Sequence, residues 1–193
     1  MPTDIHKRAI EIGSSNYGNV KKVFLSYPSN YFLDHPDIQF EIFNKISCEF
    51  KIPFSSIRIS GSAHTGYSFI KRRPFLEKES DLDVAIIDAR LFQQLLEQCY
   101  ERSEGFRPDM FPTEEGTSKS LRNQFMNYSG RGIIRPDLMP KGPEKQRIWS
   151  FFNRLSNEYT EKFKNISAGI YLSETIYTLK QRSSLQSPEV EVI

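Results

Sequence analysis

The spacing of apolar residues divides the chain into helical and extended segments. Residues 34–51 carry apolar side chains every three or four positions, which predicts a helix. Asp34 is the expected cap of this helix, Pro36 lies in its first turn, and Pro53 ends it. Residues 57–60 alternate between apolar and polar, and this pattern predicts a strand.

The later segments are interpreted by the same periodicity. Residues 82–87 form an almost continuous apolar run, typical of a strand buried on both faces. Pro136 restricts the strand predicted around it to a sheet edge or a bulge. Helices are predicted over 88–104, 117–128, 149–156 and 173–182, strands over 132–139 and 166–172, a helix or strand over 20–27, and loops over 13–16, 63–80 and 105–116.

This order of elements predicts an α+β fold, with a small mixed, mostly antiparallel sheet and helices packed mainly on one side. A chain of 193 residues is expected to form one domain with one core. We expect that domain to span residues 1–182, with its core at about 34–182 and a flexible tail at 183–193.

Composition and charge narrow the possible functions. The chain is 38% hydrophobic and 26% charged, as is typical of a globular protein, and its net charge of +2 does not predict nonspecific nucleic-acid binding. Cys48 and Cys99 lie far apart and form neither a disulfide framework nor a zinc motif, which fits a reducing, cytoplasmic compartment. We find no apolar run of membrane-spanning length and no signal peptide.

Two short motifs carry the candidate chemistry. Gly61-Ser62 follows a predicted strand, and glycine lets backbone N–H groups approach a phosphate closely. Asp81 and Asp83 open the next strand, and residues two apart on a strand share a face. Their carboxylate oxygens favour Mg²⁺, or Mn²⁺. A phosphate turn beside paired carboxylates predicts metal-dependent nucleotidyl transfer, whereas two aspartates in a solvated turn are the alternative.

With Ile-Ser-Gly-Ser at 59–62 and Ser-Asp-Leu-Asp-Val-Ala-Ile-Ile at 80–87, the chain resembles the nucleotidyltransferase superfamily related to DNA polymerase beta. The resemblance covers about 55–140. It implies that Ser62 contacts the triphosphate, that Asp81 and Asp83 bind two Mg²⁺ ions, and that a third carboxylate lies on a later strand. The insert at 63–80, with Gly66-Tyr67-Ser68, is similar to small bacterial domains of this superfamily found in mobile or antiviral defence cassettes.

The third carboxylate has three candidates. Asp137 is preferred because it follows a predicted strand, and it would complete the metal site or accept the acceptor's proton. Asp109 also follows Arg-Pro but lies in a loop, and Glu174 is interpreted as a first-turn helix residue.

Cationic and aromatic residues lie near these motifs in the sequence. Lys71, Arg72 and Arg73 are predicted to bind the triphosphate together with Gly61 and Ser62, although a solvated loop is the alternative. Further candidates are Arg131 and Arg135 for phosphate, His64 for phosphate or for packing, and Tyr67, Phe69 and Phe75 for base stacking or for packing.

The sequence thus predicts transfer of a nucleoside monophosphate from an NTP to an acceptor hydroxyl, with release of pyrophosphate. The acceptor stays open between a protein, tRNA, a small metabolite and a second nucleotide. The alternative is a nucleotide-binding regulatory or interaction subunit without turnover, working with a protein partner.

Overall fold

The computed structural model describes residues 17–69 and 71–185, the last three without their side chains. The loop predicted at 13–16 and most of the tail predicted at 183–193 lie outside the described residues. The helices are α1 (Tyr17–Lys21, continued by a π-helical turn, Lys22–Ser26), α2 (Pro36–Phe50), α3 (Gly61–Thr65), α4 (Ala89–Arg102), α5 (Arg122–Gly130), α6 (Pro143–Glu158) and α7 (Glu174–Leu185). The strands are β1 (Ile57–Ser60), β2 (Tyr67–Ser68), β3 (Arg73–Pro74), β4 (Leu82–Ile87), β5 (Ile133–Ile134) and β6 (Ile166–Tyr171).

Within the described part of the chain, the main sheet has four strands in the order β1-β4-β6-β5. β1 and β4 are antiparallel, β4 and β6 are parallel, and β6 and β5 are antiparallel. β2 and β3 form a separate antiparallel pair. The fold is therefore α+β with a mixed sheet, as predicted.

The two faces of the sheet bury different sets of side chains. Leu82 and Val84 of β4 belong to a large core cluster that also contains side chains of α2, α4 and α6. Ala85 packs on the opposite face, in a smaller cluster with Tyr171 of β6 and Tyr177 of α7. Because side chains alternate along a strand, Asp83 lies on the same face as Ala85.

Several sequence predictions need correction. The strand predicted over 132–139 contains only Ile133–Ile134, because Pro136 has no N–H for a ladder and begins a 3₁₀ turn, Pro136–Leu138. Gly61-Ser62 is not a turn but the start of helix α3. The insert after it is not irregular throughout, because it contains the β2–β3 pair.

Helix boundaries also differ from the predictions. Helix α2 begins after His35 and has no side-chain cap, so Asp34 does not cap it. The helix predicted from 117 begins at Arg122, and helix α7 continues through Leu185, past the predicted start of the tail. Asp88, in contrast, caps α4 with a 2.7 Å hydrogen bond from the Leu91 N–H. No helix among the described residues is long and apolar enough to cross a membrane.

Candidate functional site

A cleft of about 800 Å³ lies where β1 ends and where β4 and β6 begin. Three of the elements predicted from the sequence therefore meet at one place. Gly61, Ser62, Asp81, Asp83, Asp137, Lys71 and Arg73 line this cleft.

Gly61 lies beside the Asp83 carboxylate on the β1 side of the cleft. Its φ of +62° lies in the left-handed region, which glycine adopts without strain. A Cβ placed on Gly61 would lie only 2.6 Å from Asp83 Oδ2. Ser60, directly before it, is opposite Asp83 in the register of β1 and β4. The glycine therefore lets the Asp83 carboxylate pack directly against the end of β1.

Asp83 reaches solvent through the cleft, yet surrounding protein atoms restrict its hydration. This desolvation raises the pKa of the Asp83 carboxyl, and the nearby Asp81 charge raises it further. The positive charge of Lys71, a hydrogen bond with Ser167 and the positive charge of Arg135 lower the pKa of Asp83, but by less. The net effect makes Asp83 a weaker acid than an ordinary aspartate, so a cation that bound both carboxylates would offset the desolvation and repulsion that raise its pKa.

Asp137 lines the same cleft, but its carboxylate already has a cationic partner. Arg135 Nε lies 3.1 Å from Asp137 Oδ1, and Arg135 Nη2 lies 2.6 Å from Asp137 Oδ2. The Arg135 guanidinium also lies 5.1 Å from the ring centre of Tyr128, as a cation–π contact. Desolvation lowers the pKa of Arg135, but the hydrogen bonds and charge of Asp137 outweigh it and raise the pKa overall.

The described residues contain no group of three or more His, Cys, Asp or Glu side chains placed to hold a metal ion. The structure thus brings Asp81 and Asp83 together, but it does not bring Asp137 into one cluster with them. The neighbour of Asp83 on the adjacent strand β6 is Ser167, which supplies a hydroxyl rather than a carboxylate. The role of Asp137 as third carboxylate stays a prediction.

Of the three cationic residues in the insert, Lys71, Arg72 and Arg73, two line the cleft. Lys71 Nζ lies 3.5 Å from Asp81 Oδ2, and Arg73 also lines the cleft. Arg72 is exposed and is not among the lining residues. Arg135 lines the cleft, whereas Arg131 follows the end of α5 and does not.

The remaining sequence candidates divide between the cleft and the core. Tyr67 and Phe69 line the cleft, and their rings are 5.5 Å apart. Phe75 instead packs against Tyr31, with ring centres 4.8 Å apart. His64, within α3, is buried and lies 3.0 Å from the Ser29 hydroxyl and 2.9 Å from the Val23 carbonyl, so its side chain packs in the core and does not line the cleft.

Asp109 and Glu174 lie outside the cleft. Asp109 pairs with Arg107 at 3.1 Å, and Glu174 is in the first turn of α7, as expected from the sequence.

Sequence reasoning missed the β6 and α6 side of the cleft. Ser167 and Ala168 line it from β6, and Lys145, Trp149 and Asn153 line it from α6. The spacing of 145, 149 and 153 at intervals of four is the one sequence signal that places these residues on a single helix face. Lys145 donates hydrogen bonds to the Asp137 and Met139 carbonyls, at 2.5 and 3.1 Å, and burial lowers its pKa.

Comparison of the chain with protein-family models, with curated proteins and with solved structures finds no match. The function is therefore argued from the geometry of this cleft.

Proposed function

We propose that the chain binds an NTP together with Mg²⁺ and transfers the nucleoside monophosphate to an acceptor hydroxyl, releasing pyrophosphate. One observation carries this proposal: Gly61 allows the Asp83 carboxylate to pack against the end of β1, beside Asp81 and within the cleft that Ser62 lines. The Ser62 hydroxyl and the Asp81 and Asp83 carboxylates therefore line one space that is large enough for a nucleotide, which supports the proposal.

The donor set fits Mg²⁺. This ion is commonly held by one or two carboxylates together with substrate phosphates and water, so a complete protein cage is not required. Asp81 and Asp83 would supply the carboxylates, and the raised pKa of Asp83 is what desolvation and a neighbouring acid produce when nearby cations compensate only in part. When bound, Mg²⁺ would neutralise the charge that develops on the transferred phosphoryl group.

The surrounding side chains would position the substrate. The Ser62 hydroxyl would donate to the terminal phosphate, and Lys71, Arg73 and Arg135 would balance the phosphate charge. Asp137 would accept the proton of the acceptor hydroxyl once Arg135 turned towards the phosphates. Most of the rate enhancement would then come from positioning and charge neutralisation.

A second candidate is nucleotide binding without turnover, in a regulatory or interaction subunit. The bidentate Arg135–Asp137 pair favours it, because this carboxylate is occupied and stands apart from the Asp81–Asp83 pair. A place in a bacterial defence system, a protein partner and a cytoplasmic location stay predictions under either candidate.

The experiment separates binding from turnover. Calorimetric titration with each of the four NTPs, with and without Mg²⁺, measures binding, and pyrophosphate release with α-labelled NTP and cell lysate measures transfer. Transfer requires labelled product and pyrophosphate in equal amounts. Mg²⁺-dependent binding without product supports the second candidate, and the absence of any binding contradicts both.

A further inference from the structure

The beginning of strand β6 has an open edge inside the cleft. β6 is six residues long, but β5 pairs with only two of them, Ile134 with Ile170 and Ile133 with Tyr171. After Ile134 the ladder stops, because Pro136 begins a 3₁₀ turn, and Ala168 and Gly169 line the cleft.

The hydrogen bonds around β6 show which main-chain groups point towards this edge. The Asn165 and Tyr171 carbonyls accept from Leu82 and Asp88, at 2.8 and 3.1 Å, so odd-numbered residues face β4. The Leu172 N–H donates to the Gly132 carbonyl at 2.9 Å, so even-numbered residues face the β5 side. The N–H and C=O of Ala168 therefore both point to the open edge.

Ala168 has no partner at this edge within the described part of the chain. Continuing the β5–β6 register would place Pro136 opposite it, but proline has no N–H, and the Pro136 carbonyl accepts from Met139 at 3.3 Å. The preceding even-numbered residue, Ile166, has a partner, because its N–H donates to Ser156 Oγ at 2.9 Å. One half-buried donor and acceptor pair is left for a ligand, and such groups are costly without a partner.

Helix α6 packs over the sheet face that buries Ile166 and Ile170, and it reaches this edge at Ser156. Ser156 contacts Ile166, and Lys145 contacts the Asp137 carbonyl, so the helix spans the open part of β6. Trp149 lies between these two positions and lines the cleft, with 57% of its surface exposed. Trp149 and Ala168 thus line the same cleft, and an exposed aromatic ring together with an unpaired amide is the combination that binds a planar heteroaromatic ring.

We infer that the nucleobase of the bound nucleotide stacks on Trp149 and hydrogen-bonds through its edge to the Ala168 N–H and C=O. This inference rests on the proposed function. Strands lie about 4.8 Å apart, so a partner of Ala168 is about 10 Å from β4 and its carboxylates, a separation that a ribose bridges. A ring fits better than an added peptide strand, because only one residue of the edge offers free groups.

The test compares an NTP with inorganic tripolyphosphate, both with Mg²⁺, by calorimetry. Tripolyphosphate carries the phosphates without the base, so it reports on the phosphate and metal side of the cleft alone. Trp149 is the single tryptophan of the chain, and quenching of its fluorescence by the NTP but not by tripolyphosphate provides a second reading.

We expect Trp149→Ala to weaken NTP binding about tenfold or more, Trp149→Phe to weaken it less, and neither to change tripolyphosphate binding. Tyr100→Ala is the matched control, because Tyr100 is 56% exposed and lies outside the cleft. Ala168→Pro removes the N–H without removing a bond to β4 and should weaken NTP binding about two- to tenfold, whereas Ala168→Ser keeps both groups and the affinity.

The outcomes separate this inference from the proposed function. If NTP and tripolyphosphate bind equally well and the Trp149 variants change neither, the base site is wrong while the phosphate and metal site stands. If neither compound binds with Mg²⁺, both the proposed function and the base site are contradicted. Loss of NTP binding in Trp149→Ala with tripolyphosphate binding intact supports the inference.

Discussion

The carboxylates on the two sides of the cleft have opposite electrostatic surroundings. On the first side, Asp81 and Asp83 lie together at the start of β4, and the pKa of Asp83 is raised because desolvation and a like charge outweigh its cationic neighbours. On the second side, beyond β5, Asp137 is held by the Arg135 guanidinium at 2.6 Å.

The difference lies in how far each acid is compensated: Asp137 has a bidentate guanidinium partner, whereas Lys71 at 3.5 Å from Asp81 only partly offsets the desolvation and repulsion at Asp83. A carboxylate that already has a bidentate partner gains little from a metal ion, whereas two acids that repel each other gain much. Under the proposed function, a cation would bind on the β4 side, and Asp137 would join it only if Arg135 left that carboxylate. The following predictions test this contrast, from the largest expected effect to the smallest.

Asp83→Asn should reduce Mg²⁺-dependent NTP binding and any pyrophosphate release more than a hundredfold, because it removes half of the metal-binding charge. Calorimetry and a pyrophosphate assay measure these effects. The thermal midpoint should hold or rise, since the change removes a carboxylate whose charge is disfavoured in the folded state. Unchanged Mg²⁺-dependent binding in a folded variant would contradict the metal site.

Asp137→Asn should lower pyrophosphate release at least tenfold while part of the NTP binding survives, if Asp137 serves the acceptor side of the reaction. Asp109→Asn is the matched control, because Asp109 also follows Arg-Pro, pairs with Arg107, and lies outside the cleft. Equal rates of pyrophosphate release in the two variants would remove Asp137 from the mechanism.

Gly61→Ala should destabilise the protein and displace the Asp83 carboxylate. Gly116→Ala is the control for backbone strain alone, because Gly116 has a φ of +72° but no atom within 4 Å of the point where a Cβ would lie. We expect the free energy of unfolding in urea to fall by about 1 kcal/mol more for Gly61→Ala than for Gly116→Ala.

Adding Asp83→Ala to Gly61→Ala removes the carboxylate oxygen that the new Cβ would meet at 2.6 Å. The double variant should recover the excess loss of stability. If it does not, the contact between these residues is not what makes glycine necessary at 61.

Lys71→Gln should weaken NTP binding about two- to threefold at low salt and less at high salt, because its ammonium group beside Asp81 is only partly shielded from solvent. Arg72→Gln is the matched control from the same insert, since Arg72 does not line the cleft. Titrations at two salt concentrations measure the effect, and equal losses in both variants would mean that the insert acts only through its total charge.

The sequence determined much of the framework. Apolar periodicity identified β1, β4, β6 and the long helices, because burial of one face or of both faces leaves a regular pattern in the residues themselves. The spacing of Asp81 and Asp83 fixed their common face, since alternation along a strand is a local property of the backbone. Pro136 correctly predicted an edge position, but not how early the strand would end.

The contacts between residues of different elements were decided only by the tertiary structure. The approach of Gly61 to Asp83, the pairing of Arg135 with Asp137, the separation of Asp137 from the carboxylate pair and the open edge at Ala168 all depend on strand order and register. These contacts join residues from different elements, and no local periodicity records them. The sequence by itself therefore predicted the candidate side chains, while the packing of β1, β5 and α6 around β4 and β6 decided which of them share one cleft.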